Sequence, residues 1–114
     1  MRALSPLTLA ASTAASLLLS SPAAAAPQTH AHTYVVVIAK MKYGPLPAQL
    51  RRGDSIMWVN RDIFRHSATA ANKSFDVDLP PSTRRVMVVK SAGAVAFACK
   101  YHPGMRGVLK VAAR

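Results

Sequence analysis

The 114-residue chain carries 15 Lys plus Arg against 4 acidic residues, a formal charge of +11 at pH 7, and is 51% hydrophobic. That length excludes a multidomain assembly, and a single cysteine, Cys99, excludes an internal disulfide. The charge favours anionic partners, yet nucleic acid is not expected: the aromatic residues do not interleave with the basic ones, and no helix-turn-helix or zinc-finger spacing is present.

The first element reads as an export signal. Arg2 precedes Leu4, Leu7 and Leu9, an Ala/Ser stretch with Leu17, Leu18 and Leu19, then Pro22 and alanines 23–26; these are the basic, apolar and small-residue zones of a secretory leader. Its apolar part is too short to span a bilayer comfortably, so cleavage after Ala26 is expected and no transmembrane segment is. Residues 27–33, with His30 and His32, lack a core-forming pattern and read as a flexible tail. The folded domain is expected over 34–114. In an exported protein an unpaired Cys99 points to a reactive thiol, an intermolecular bridge or a metal ligand.

From Tyr34 the text changes to short β-rich runs at 34–39, 56–60, 84–89, 94–99 and 108–112, separated by turn markers such as Gly44-Pro45, Gly53-Asp54, Pro80-Pro81-Ser82 and Pro103-Gly104. No helical periodicity is sustained. Two runs alternate strictly. Ile56, Trp58 and Asn60 share one face, which makes Trp58 a core anchor whose indole N–H needs an acceptor. Val95, Phe97 and Cys99 share another, which places Cys99 at the edge of the core. Short strands at regular spacing predict an all-β sandwich forming one small domain. Met41, Met57 and Met87 are expected to pack, since they lack clustered spacing.

The stretch Cys99-Lys100-Tyr101-His102-Pro103-Gly104-Met105 sets a thiolate, an imidazole and a thioether within seven residues at a strand end. A thioether is a poor ligand for nearly every metal but copper, so this donor set points to copper. A site with two imidazoles, one thiolate and a weak axial Met needs a second His from elsewhere. His66, in the connection after the 56–60 strand, is the candidate. His30 and His32 lie in a tail without fixed geometry, although a His-x-His pair binds copper adventitiously.

Together with this loop, the run Gly53-Asp54-Ser55-Ile56-Met57-Trp58-Val59-Asn60-Arg61-Asp62 followed by His66 closely resembles the first ligand segment of small type 1 copper proteins. The chain resembles the cupredoxins of the amicyanin, pseudoazurin and plastocyanin group, nearest amicyanin, over roughly residues 34–112. Lys42-Tyr43-Gly44-Pro45 and Phe75-Asp76 fit the same pattern. The resemblance implies a Greek-key β-sandwich, cupredoxin-like, holding one copper ion (Cu(I)/Cu(II)) through His66, Cys99, His102 and Met105. It also implies that His102 is the electron port. Many relatives carry Asn after the first His, where its side chain ties the two ligand loops; Ser67 stands here, which predicts a weaker tie. Tyr101 and Gly104 replace the Pro and the apolar residue usual at their positions, which predicts a looser loop and a less apolar docking surface.

These features imply a blue copper electron-transfer protein of the periplasm, monomeric, with a copper carrier or chaperone as the alternative. No enzyme is expected: no catalytic dyad is visible and the chain has no Glu. Lys100 and Arg106 beside the port predict an acidic redox partner, a c-type cytochrome or a dehydrogenase.

Overall fold

The computed structural model describes residues 2–23 and 30–113, so the expected cleavage point after Ala26 lies outside the described residues. Residues 2–23 form neither helix nor strand, and their leucines are almost fully exposed. No helix among the described residues is long and apolar enough to cross a membrane.

Among the described residues nine strands follow: β1 (Thr33–Ala39), β2 (Lys42–Tyr43), β3 (Leu50–Arg51), β4 (Ser55–Asn60), β5 (His66–Ala70), β6 (Asp76–Leu79), β7 (Arg84–Val88), β8 (Gly93–Ala98) and β9 (Arg106–Ala112). One sheet runs β2-β1-β4-β7 and the other β3-β9-β8-β5-β6. β1 lies parallel to β4 and β3 parallel to β9, so the chain crosses between sheets as a Greek-key sandwich does. The five expected strands are present within two residues of their expected ends. Four were not expected. His66 in particular opens a strand and does not lie in a loop.

Residues 27–29 of the expected tail lie outside the described residues, while its last two residues join β1 to the sandwich. His32 N–H donates to Asp54 Oδ1 at 3.0 Å, Ser55 N–H donates to His32 O at 2.8 Å, and Thr33 pairs with Ser55. His32 is therefore fastened to the sandwich through its backbone.

Alternation builds the core. β4 buries Ile56, Trp58 and Asn60, β1 buries Val36 and Ile38, and β8 buries Val95 and Phe97. Trp58 packs edge-on against Tyr43 at 5.9 Å and Phe97 at 5.4 Å between ring centroids. Its indole N–H meets no acceptor among the described residues, so its anchoring rests on ring packing alone. Phe97 pairs with Gly107, where an added Cβ would come within 2.5 Å of the Phe97 ring. Only glycine at 107 lets that ring lie down over β9. Met87 packs against the core as expected, whereas Met41 is exposed in the β1–β2 turn.

Candidate metal centre

The two ligand segments reach the same end of the sandwich by different routes. β8 delivers Cys99 one residue past its end, on the Val95–Phe97 face, and the chain then turns through 100–105 into β9. This loop is pinned by backbone bonds: Cys99 N–H donates to Met105 O at 3.0 Å and Met105 N–H donates to His102 O at 2.9 Å. Arg106 Nε donates to Pro103 O at 3.0 Å. The loop is thus tightly closed, against the looseness that Tyr101 and Gly104 suggested.

The other segment is organised by two polar residues. Asn60 Nδ2 donates to Phe64 O and Leu79 O, at 2.8 and 2.9 Å, and Asn60 Oδ1 accepts Asp62 N–H at 2.9 Å. Asp62 in turn accepts three N–H groups: Lys40 at 2.7 Å, Met41 at 3.0 Å and His66 Nε2 at 2.8 Å. Lys40 and Met41 have φ of 52° and 62°. This is the two-residue turn geometry that ordinarily selects Asn-Gly, here held without glycine by a carboxylate reaching back to both amides. The Met41 bond foremost, with the His66 and Lys40 bonds, holds the Asp62 carboxyl below its usual range against partial desolvation. Sequence reasoning missed Asp62. Its turn partners lie over twenty positions away, and only its place four residues before His66 was a local signal.

With Nε2 committed to Asp62, His66 turns Nδ1 toward Cys99. Cys99 Sγ lies 3.9 Å from His66 Nδ1 and 3.7 Å from His102 Nδ1, and the three donor atoms fall within 4.8 Å of one another. The two imidazole rings meet edge to face at 4.9 Å. Ser67 N–H donates to Cys99 Sγ at 3.4 Å. Two donors each about 2.0–2.3 Å from a shared ion sit about 3.5–3.9 Å apart, so the sulfur–nitrogen spacings suit one ion held by all three. Met105 is buried in the same loop, and a donor set that included its thioether with a thiolate and two imidazoles would suit copper over zinc. His30 and His32 are not among the residues brought together.

Ser67 corrects a second expectation. Its Oγ accepts Lys100 N–H at 2.8 Å, so the hydroxyl does tie the two ligand segments. Tyr43 O–H donates to Ser67 O; burial first, and then the proximity of Cys99, pushes the Tyr43 hydroxyl pKa up and keeps it neutral. His66 is fully buried and Cys99 nearly so, whereas His102 is half-buried. The exposed Phe64 ring lies 6.3 Å from His102, and exposed Ile63 and Tyr101 are the chain neighbours of Phe64 and His102. The basic rim is partly neutralised: Lys100 Nζ pairs with Asp76 at 3.1 Å and Arg65 pairs with Asp78.

Solved structures with the same architecture include amicyanins. A reduced Cu(I) form of one amicyanin variant at pH 4 is 29% identical, with a TM-score of 0.59 over 70% of this chain and 82% of that one. A second variant in the Cu(I) form and a third in the oxidised state are each 28% identical, with TM-scores of 0.58 over the same shares. No protein-family model and no curated protein sequence matches the chain.

Proposed function

We propose that this chain, a cupredoxin in fold and similar to amicyanin, is an exported electron carrier of the periplasm, with one copper ion held by His66, Cys99, His102 and Met105. The observation that carries this reading is the convergence of one sulfur and two imidazole nitrogens at 3.7 and 3.9 Å, on a loop that ends in a buried methionine. Copper bound there supplies one-electron exchange between Cu(I) and Cu(II).

The chain's own residues do the rest. Asp62 fixes the His66 tautomer, Ser67 N–H points at the thiolate sulfur, and the sandwich holds both segments so that little moves between oxidation states. His102 is the electron port: it is half-buried where its fellow ligands are buried, and the exposed Phe64 ring packs against it. Exposed Arg61 lies in the β4–β5 connection that leads to His66, and exposed Arg106 opens β9 directly after Met105. They suit an acidic redox protein, a c-type cytochrome or a dehydrogenase, docking on a monomer with salt-sensitive association.

Copper-loaded protein is expected to show an intense thiolate-to-Cu(II) charge-transfer band, bleached reversibly by reductant and absent in Cys99→Ser. A colourless Cu(II) complex would sink the proposal. Copper delivery to an acceptor, with negligible electron exchange with a c-type cytochrome, would replace it by the carrier reading.

A further inference from the structure

The β5–β8 ladder pairs only Thr69 with Ala98 and Ala70 with Phe97. Nearer the candidate centre the two ligand-bearing segments are joined by side chains instead. Ser67 makes the join: its N–H donates to Cys99 Sγ at 3.4 Å and its Oγ accepts Lys100 N–H at 2.8 Å. The same Oγ lies 2.9 Å from Thr69 Oγ1, and Thr69 O–H donates to Asp76 Oδ1 at 2.9 Å. Asp76 Oδ2 accepts from Lys100 Nζ at 3.1 Å.

Counting protons fixes the direction of every bond. An ionised carboxylate only accepts, so the single hydroxyl proton of Thr69 goes to Asp76 and leaves Thr69 Oγ1 as an acceptor. The single proton of Ser67 therefore goes to Thr69, and a Ser67 lone pair is left for Lys100 N–H. We propose that Ser67, Thr69 and Asp76 form one directed hydrogen-bond chain, running from the Lys100 backbone N–H to the Asp76 carboxylate, where the Lys100 ammonium donates from the other end and closes the circuit, and that it positions the Cys99–Lys100 segment. Bonds aligned head to tail polarise and strengthen one another. Thr69 and Asp76 are positioning residues: they act on Cys99 through Ser67 and Lys100. An exposed ion pair is in this way wired to the segment that carries the thiolate. The circuit's effect on a bound metal rests on the copper reading above, while its effect on the Lys100 amide does not.

Thr69→Val keeps the side-chain shape and removes the central hydroxyl, and Thr69→Ser restores it. In the full chain, with and without Cu(I), amide exchange at Lys100 is expected to rise about three- to tenfold in Thr69→Val and to return to the parent rate in Thr69→Ser. Asp76→Ala, at an exposed site, is expected to raise it in the same direction, which covers the case of a Thr69→Val protein that fails to fold. In copper-loaded protein the charge-transfer band shifts in both broken variants and returns in Thr69→Ser. Parent-like Lys100 exchange in folded Thr69→Val or Asp76→Ala overturns the circuit even where copper binds. Raised exchange in protein that takes up no copper leaves the circuit standing and removes the copper reading instead.

Discussion

His66 and His102 present the same ring nitrogen to the same sulfur, at 3.9 and 3.7 Å, yet they are held in opposite ways. His66 is fully buried and its second nitrogen is fixed by Asp62, which also binds two amides of a distant turn. His102 is half-buried on a loop closed by backbone bonds, and its ring meets Phe64 and His66, with no described residue bonded to Nε2. One imidazole is anchored by a carboxylate whose loss leaves its buried ring nitrogen unsatisfied; the other packs against an exposed aromatic ring at the surface. A site that must hold a metal rigidly and still exchange electrons with a partner uses both kinds of support.

The largest test breaks the anchored side. Asp62→Ala leaves His66 Nε2 and the Lys40 and Met41 amides without their acceptor, and those two residues lose what holds their left-handed backbone. The expected cost is about 1–3 kcal/mol, because the buried His66 donor is orphaned while the two exposed turn amides lose an acceptor that water can replace, read as a lower midpoint in urea unfolding. Copper affinity, measured against a competing chelator, is expected to fall about 10- to 100-fold. Unchanged affinity would show that His66 is placed by β5 alone.

A second test asks whether the Cys99 side depends on the core in place of polar ties. Gly107→Ala puts a methyl 2.5 Å from the Phe97 ring, and Phe97 precedes Cys99 by two residues on the same face. Displacing that ring is expected to cost about 1–3 kcal/mol, with a shift in the charge-transfer band that a change at the far end of the sheet would not produce. Phe64→Ala probes the port. Phe64 is half exposed and packs on the His102 ring, so stability is expected to change by less than about 1 kcal/mol while electron exchange with a partner protein slows. If Phe64→Ala destabilises as much as Asp62→Ala, the contrast between the two histidines fails.

The same contrast governs what could be read from the sequence. Patterns written in one stretch of chain were legible: alternation at Ile56-Trp58-Asn60 and Val95-Phe97-Cys99, and the spacing of Cys99, His102 and Met105. β5 was not, because His66-Ser67-Ala68-Thr69-Ala70 is a run of small residues buried on both faces and shows no alternation. β2 and β3 are two residues each and carry no period. β6 was legible in principle, since Asp76-Val77-Asp78-Leu79 alternates, but four residues between turn signals give little pattern. The Asp62 anchor and the ties from Ser67 join groups that only the fold brings together, and Ser67 read from a comparison of side-chain length alone was underrated.

The smallest expected effect lies on the rim, between the two supports. Arg65 grips Asp78 with both Nε and Nη2, with both side chains about half exposed, and Tyr101 O–H reaches the same carboxylate at 3.4 Å. The Arg65 bond, ahead of every other influence, holds the Asp78 carboxyl below its usual range. A carboxyl whose value is lower folded than unfolded adds stability above the ordinary aspartate range and loses it as pH falls through the depressed value. Urea midpoints of the parent protein and Asp78→Asn should therefore differ slightly at neutral pH, converge in acid, and also converge in high salt because the pair is exposed. A difference that persists in acid would mean that Asp78 acts by orienting Tyr101 beside the port and not by its charge, which would move this residue from the rim to the framing of His102.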